Sequence, residues 1–142
     1  MAPERAADEQ TKSVTLDELL ATSKVVSLHL VAGPGTEGII GAHQLVLMRP
    51  DSILVNTSRS ALISMPDLAS ALTKDNPGQA AIDVFDIEPL PVNDVLRNTP
   101  NLLVTPHLGF VAEPIFAAFA KGITETLEAW LDKKPLPHLY RP

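Results

Sequence analysis

Cysteine is absent from the 142 residues, which excludes disulfides, a thiolate nucleophile and any Cys-ligated metal. Aromatic residues make up only 4% of the chain against 45% hydrophobic overall, so a core has to be built from Val, Leu, Ile and Ala, as in an ordinary globular domain. Positive charge is scarce and unclustered: the formal net charge is −6 and the pI about 5.1. That argues against nucleic acid or an anionic membrane surface as partner. No apolar run approaches the length of a membrane span. The opening "MAPERAADEQTKS" lacks the apolar segment of a secretory signal. These absences suit a cytoplasmic protein. The length suits one compact domain, residues 1–142, with flexible ends expected at 1–13 and 134–142.

What is present is an alternation of short apolar runs with amphipathic stretches, the pattern of a parallel sheet covered by helices. "VTLDELLATS" predicts a short helix capped by Thr15, with Asp17 and Glu18 in its first turn. "KVVSLHL", "SILVNTS", "AAIDVFD" and "NLLVTP" predict four strands. Between them, "GAHQLVLMRP" predicts a helix stopped by Pro50. "SMPDLASALTKDNPG" predicts another, opened by Ser64 and Asp67 as a capping box with Pro66 in the first turn. A single helical turn is expected in the Pro-rich connector "IEPLPVNDVLRNTP". A long final helix starts near Glu113, with Phe116, Phe119, Ile123, Leu127 and Trp130 at helical spacing. The fold class expected is α/β: a three-layer parallel sheet with helices on both faces, a partial Rossmann-like domain.

"GPGTEG", Gly33 to Gly38, fits the G-x-G-x-x-G pattern of a dinucleotide loop. Its chemistry argues otherwise. Pro34 has no N–H to offer a phosphate, Glu37 would bring negative charge towards it, and the helical pattern begins only near Gly41. The next strand, moreover, ends in Asn56, Thr57 and Ser58 where a ribose-binding acid belongs. A surface loop, with glycines that permit positive φ, is the expectation.

In open α/β sheets the ligand lies beyond the carboxyl ends of the strands. Three strands are followed there by reactive side chains: Arg59 after "ILVNTS", Asp83 and Glu88 after "AAI", and His107 after "LLVTP". A parallel sheet brings these ends to one edge. Arg59 suits a substrate carboxylate, through its two-pronged fork. His107 suits proton transfer near neutral pH. Glu88 against His107 would fix the ring's tautomer and favour the imidazolium. With a hydride donor, the set makes a redox site for a 2-oxo acid and its 2-hydroxy acid. Taken singly, each residue also has a plain surface or turn reading. His29, His43 and His138 show no metal-ligand spacing, and no metal site is expected.

"ILVNTSRSALI", "AAIDVFDIEPL" and "LLVTPHLGF", in that order, resemble the D-isomer-specific 2-hydroxyacid dehydrogenases, over nearly the whole chain from Leu16 to Pro137. The resemblance implies an NAD- or NADP-dependent oxidoreductase. In it Arg59 binds and polarises the substrate, His107 is the acid/base, Glu88 is its partner, and Asp83 contacts the nicotinamide carboxamide. It also implies that the strand ends at Leu30, Thr57 and Gly109 lie along the cofactor, and that "GPGTEG" is a variable loop. Two departures stand out: Ser60, where the family usually has Gly, and Ser64, where it usually has an acid. The family's phosphate loop and substrate domain have no counterpart in the residues given. The resemblance thus points to the C-terminal portion of the cofactor domain, with a small 2-oxo or 2-hydroxy acid as substrate and a homodimer or a complementing chain as partner. The alternative is a non-catalytic binding or oligomerisation module derived from the same family.

Overall fold

The computed structural model describes residues 12–137. Most of the expected flexible ends, and His138 with them, lie outside the described residues. The chain divides into two compact units, Met1–His107 and Leu108–Pro142.

Among its described residues the first unit holds four strands: β1 (Val25–Leu28), β2 (Ile53–Asn56), β3 (Gln79–Ile82) and β4 (Leu102–Val104). All pair in parallel in the order β1-β2-β3-β4. They alternate with α1 (Leu16–Thr22), α2 (Ala42–Leu47) and α3 (Met65–Leu72), and the last crossover is made by the 3₁₀ turn Val95–Asn98. This is the α/β, Rossmann-like arrangement that the alternation predicts. Strands added in sequence through right-handed crossovers place their connecting helices on one face, and α1, α2 and α3 do pack as a row of neighbours.

The register shows where the core sits. Val26, Leu54, Ala80 and Leu102 form one cross-strand row, and Leu28, Asn56, Ile82 and Val104 the next. In a strand, alternate residues share a face, so both rows face the same side. With Leu20, Leu45, Leu62, Leu68 and Leu72, the apolar members of both rows make the apolar cluster, Asn56 being the polar exception. Fully burying such a side chain is worth roughly 1.5–3 kcal/mol. On the opposite face Val25 and Leu103 stand 57% and 63% exposed.

Local chemistry sets the element ends. Thr15 caps α1 as expected, its hydroxyl accepting from the Glu18 N–H at 3.2 Å. The capping box at α3 is not formed. Ser64 occupies the N-cap position without a side-chain hydrogen bond. Asp67 turns away instead, and its Oδ2 accepts from the Ala42 N–H at 3.2 Å. The reason lies at α2, whose N-cap is Gly41 and whose first turn carries no acid. Its orphan N–H groups attract the nearest carboxylate, which comes from the neighbouring helix. At the start of β3, Gly78 is required by contact, because a Cβ there would lie 2.0 Å from the Pro50 carbonyl oxygen.

The second unit is dominated by α4 (Glu113–Leu131). Phe110 and Phe116 meet with ring centroids 6.3 Å apart. The predicted apolar stripe is present, but no residue of α4 is buried, and Phe116, Phe119, Ile123, Leu127 and Trp130 are 50–66% exposed. No helix among the described residues is long and apolar enough to cross a membrane.

Candidate active site

The glycine loop is engaged with the protein. The N–H groups of Thr36 and Glu37 both donate to the Gly33 carbonyl, at 2.9 and 3.0 Å, and that of Gly38 donates to the Ala61 carbonyl at 2.8 Å. With Pro34 lacking an N–H, little of this loop is left to cradle a phosphate, and α2 starts only at Ala42. Gly38, at φ 61°, uses the conformational freedom that glycine has. The loop's far end is instead tied to the segment after Arg59: Gly38 binds Ala61, Ile40 donates to the Leu62 carbonyl, and Ser64 donates to the Ile40 carbonyl.

The carboxyl ends of β2, β3 and β4 lie side by side, as parallel pairing demands. Beyond β2, the turn carrying Arg59 is shaped by Asn56. This residue is fully buried in the Leu28–Ile82 row. Its Oδ1 accepts from the Ser58 N–H at 3.0 Å, and its Nδ2 donates to the Arg59 carbonyl at 2.8 Å. Ser58 Oγ donates to the Leu30 carbonyl at 3.0 Å, joining the ends of β1 and β2. Arg59 itself is exposed, and its Nη1 donates to the Ser58 carbonyl at 2.7 Å. Ser60 opens a 3₁₀ turn, Ser60–Leu62, and is not among the residues with positive φ. The serine in place of the family's usual glycine is therefore tolerated by the backbone.

Beyond β3, Asp83 is buried and its Oδ1 accepts a short hydrogen bond from Thr105 Oγ1, across from β4. Glu88 follows on the same connection. Its Oε1 accepts from the Phe85 N–H at 2.9 Å, and its Oε2 meets His107 Nδ1 at 2.7 Å. Hydrogen bonding from His107, and then from the Phe85 N–H, holds the Glu88 carboxyl below its ordinary range against the opposing effect of burial. His107 sits in the left-handed region at φ 57°, which is uncommon for a residue with a side chain. Its N–H donates to the Thr105 carbonyl. Its side chain is half-exposed. The structure thus brings Glu88 and His107 into contact, and it places Arg59 and Asp83 at the ends of adjacent strands. Thr57 is exposed just past β2, Leu30 lies two residues past β1, and Gly109 belongs to the second unit.

Two contributors escaped the sequence reading, Asn56 and Thr105. Asn56 carried a signal, as a polar residue at an inward position of an apolar strand. Thr105 carried none, since only the pairing of β3 with β4 shows that it faces Asp83. Among the described residues no cluster of His, Asp or Glu could hold a metal.

A parallel sheet that gathers polar side chains at the carboxyl ends of its strands has the arrangement of a Rossmann-like domain. Residues 1–109 match the family described as D-isomer specific 2-hydroxyacid dehydrogenase, NAD binding domain, and the chain belongs to that family. It is 42% identical over 98 residues to a D-3-phosphoglycerate dehydrogenase of Escherichia coli, a stretch that is 66% of this chain and 24% of that enzyme. Among solved structures, a Granulicella M. formate dehydrogenase superposes with a TM-score of 0.82 at 33% identity, over 90% of this chain and 34% of that one. A D-isomer specific 2-hydroxyacid dehydrogenase of Xanthobacter autotrophicus Py2, in complex with NADPH and MES, superposes with a TM-score of 0.68 at 31% identity, over 89% and 52%. The chain spans about a quarter of the length of the Escherichia coli relative.

Proposed function

We propose that the chain is the nicotinamide-side portion of an NAD(P)-dependent D-2-hydroxyacid dehydrogenase, interconverting a small 2-oxo acid and its D-2-hydroxy acid. The observation that carries this reading is the 2.7 Å contact between His107 Nδ1 and Glu88 Oε2 at the carboxyl edge of a parallel sheet.

The residues present suit the nicotinamide end of the cofactor. Buried Asp83 is an acceptor for a carboxamide, held in place by Thr105, with Thr57 past the end of the adjacent strand β2 and Leu30 past the end of β1. The pyrophosphate end finds no such fit in the loop Gly33–Gly38, because Pro34 has no N–H and those of Thr36, Glu37 and Gly38 are already bonded within the protein. When bound, the reduced nicotinamide supplies the hydride that the carbonyl carbon accepts. Arg59 grips the substrate carboxylate with its fork and draws electron density from the adjoining carbonyl. Glu88 accepts a hydrogen bond from the Nδ1–H of His107, which leaves Nε2 to carry the proton exchanged with the substrate oxygen. His107 delivers its proton there as the carbonyl becomes an alcohol, and retrieves it in the reverse direction.

Chemistry of this kind, on a cysteine-free chain, suits the cytoplasm. The second reading, a binding or oligomerisation module, is favoured by one observation: the exposed apolar stripe of α4, a surface of the sort that marks interaction sites. In the dehydrogenase reading, that stripe belongs to contacts with a complementing chain or a second copy.

An amide NMR spectrum titrated with NADH tests the proposal. Shifts confined to Thr57, Asp83, His107 and their neighbours support the nicotinamide site. A dispersed spectrum indifferent to NADH sinks it, in favour of the module.

A further inference from the structure

We infer that Asn56 is the positioning residue for Arg59, holding the guanidinium-bearing turn at the carboxyl edge of the sheet. The inference rests on the proposed reading for what Arg59 does, but not for where Arg59 sits.

Four observations support it. Asn56 occupies an inward position in a row otherwise made of Leu28, Ile82 and Val104, and is fully buried. An amide there adds nothing to apolar packing and has to find partners, because a buried polar group left unbonded is costly. Both of its partners lie in one place: Oδ1 takes the Ser58 N–H and Nδ2 takes the Arg59 carbonyl. The backbone carbonyl of Asn56 accepts the Asp83 N–H at 3.0 Å, so the same residue joins the Arg59 turn to the Asp83 strand end. Ser58, fixed by Asn56, extends the connection to the Leu30 carbonyl. Every hydrogen bond of this side chain thus serves the turn Thr57–Arg59, and none serves the helices that pack over the sheet. The requirement is specific. Leu would supply more apolar contact but neither bond, and Asp would keep the acceptor for Ser58 while presenting a second acceptor to the Arg59 carbonyl.

The test is Asn56→Asp in the full chain, compared with wild type by ¹⁵N NMR. The expected result is displacement of the Ser58 and Arg59 amides and of the Arg59 Nε–H, with Val26, Leu28, Ala80 and Ile82 unmoved. Oxamate, a 2-oxo acid mimic, added to the NADH-saturated chain is expected to shift the Arg59 Nε–H in wild type and to lose that effect in the variant. An Arg59 signal unchanged by the substitution overturns the inference. So does a disturbance spread evenly over the sheet, or an oxamate response equal in both proteins. Asn56→Ser, which is smaller and uncharged, serves where the aspartate prevents folding; loss of fold in both variants makes the amide a general requirement of the sheet and likewise overturns the inference. A wild type whose Arg59 ignores oxamate sinks the substrate reading, while the displaced Arg59 signal still decides the positioning.

Discussion

His107 Nδ1 lies 2.7 Å from Glu88 Oε2, although one residue extends β4 and the other the connection leaving β3. The contact is made by backbone placement as much as by attraction. Glu88 is steadied by the Phe85 N–H on its other oxygen, and His107 is turned by a left-handed backbone.

Substitution at this pair is therefore expected to be felt at the ring. Glu88→Gln replaces a charged acceptor by a neutral amide and should move the imidazole ¹⁵N resonances of His107; identical resonances in the variant would mean that the pair does not form in solution. In an assay of 2-oxo acid reduction with NADH, His107→Asn should lower the rate by about 10²–10⁴-fold, the usual worth of a positioned acid/base. Unchanged turnover would remove His107 from the chemistry.

The pH dependence follows from the direction of the Glu88 shift. Its carboxyl is held below the ordinary range chiefly by His107, then by the Phe85 N–H. A carboxylate that titrates lower in the folded than in the unfolded chain stabilises the fold above its unfolded value, and that stabilisation is lost as the pH falls through the folded value. Melting temperatures of wild type and Glu88→Gln, compared from neutral pH down through the carboxylate range, should converge as the solution is acidified. Curves that stay parallel across the range would show that the shift is absent.

The core makes a steeper prediction. Leu54 is fully buried at the centre of the Val26–Leu102 row, so Leu54→Ala should cost about 2–5 kcal/mol by denaturant unfolding. Gly78→Ala should also destabilise, because its Cβ would lie 2.0 Å from the Pro50 carbonyl oxygen, and relief of such a clash costs roughly 1–3 kcal/mol. A variant as stable as wild type at either position would contradict the packing described.

Most of the frame was legible from local pattern. Apolar runs of strand length, Thr15 before an acidic turn and Pro50 after a helix all act within a few residues of chain, and the four strands and four helices fall where they place them. The pairing of Glu88 with His107 was legible because parallel topology sends strand ends to one edge. What depended on contacts between distant segments was not. Asp67 reads as a cap for its own helix, yet it serves Ala42 in another, because the neighbouring helix had the greater unmet need. Thr105 is ordinary in sequence and gains meaning only opposite Asp83. The spacing of Phe116, Phe119, Ile123, Leu127 and Trp130 marks an apolar stripe on α4 but says nothing of its exposure among the described residues, since periodicity shows which side of a helix is apolar and not what covers it.

The loop Gly33–Gly38 allows its two readings to be separated glycine by glycine. A phosphate loop needs glycine wherever backbone approaches the ligand, so Gly33→Ala or Gly35→Ala would then weaken NADH binding. As a surface loop the requirement is different. A Cβ at Gly33 or Gly35 meets nothing within 4 Å, whereas Gly38 sits at φ 61°. Gly33→Ala and Gly35→Ala should thus leave stability within about 0.5 kcal/mol of wild type and leave the NADH response untouched. Gly38→Ala should cost roughly 1–2 kcal/mol, the penalty of a left-handed residue bearing a Cβ. That strain would fall on the Gly38–Ala61 hydrogen bond, and so on the segment following Arg59. Thermal melts and an NADH titration of the three variants decide the matter, and a titration weakened by Gly35→Ala at unchanged stability would return this loop to the cofactor.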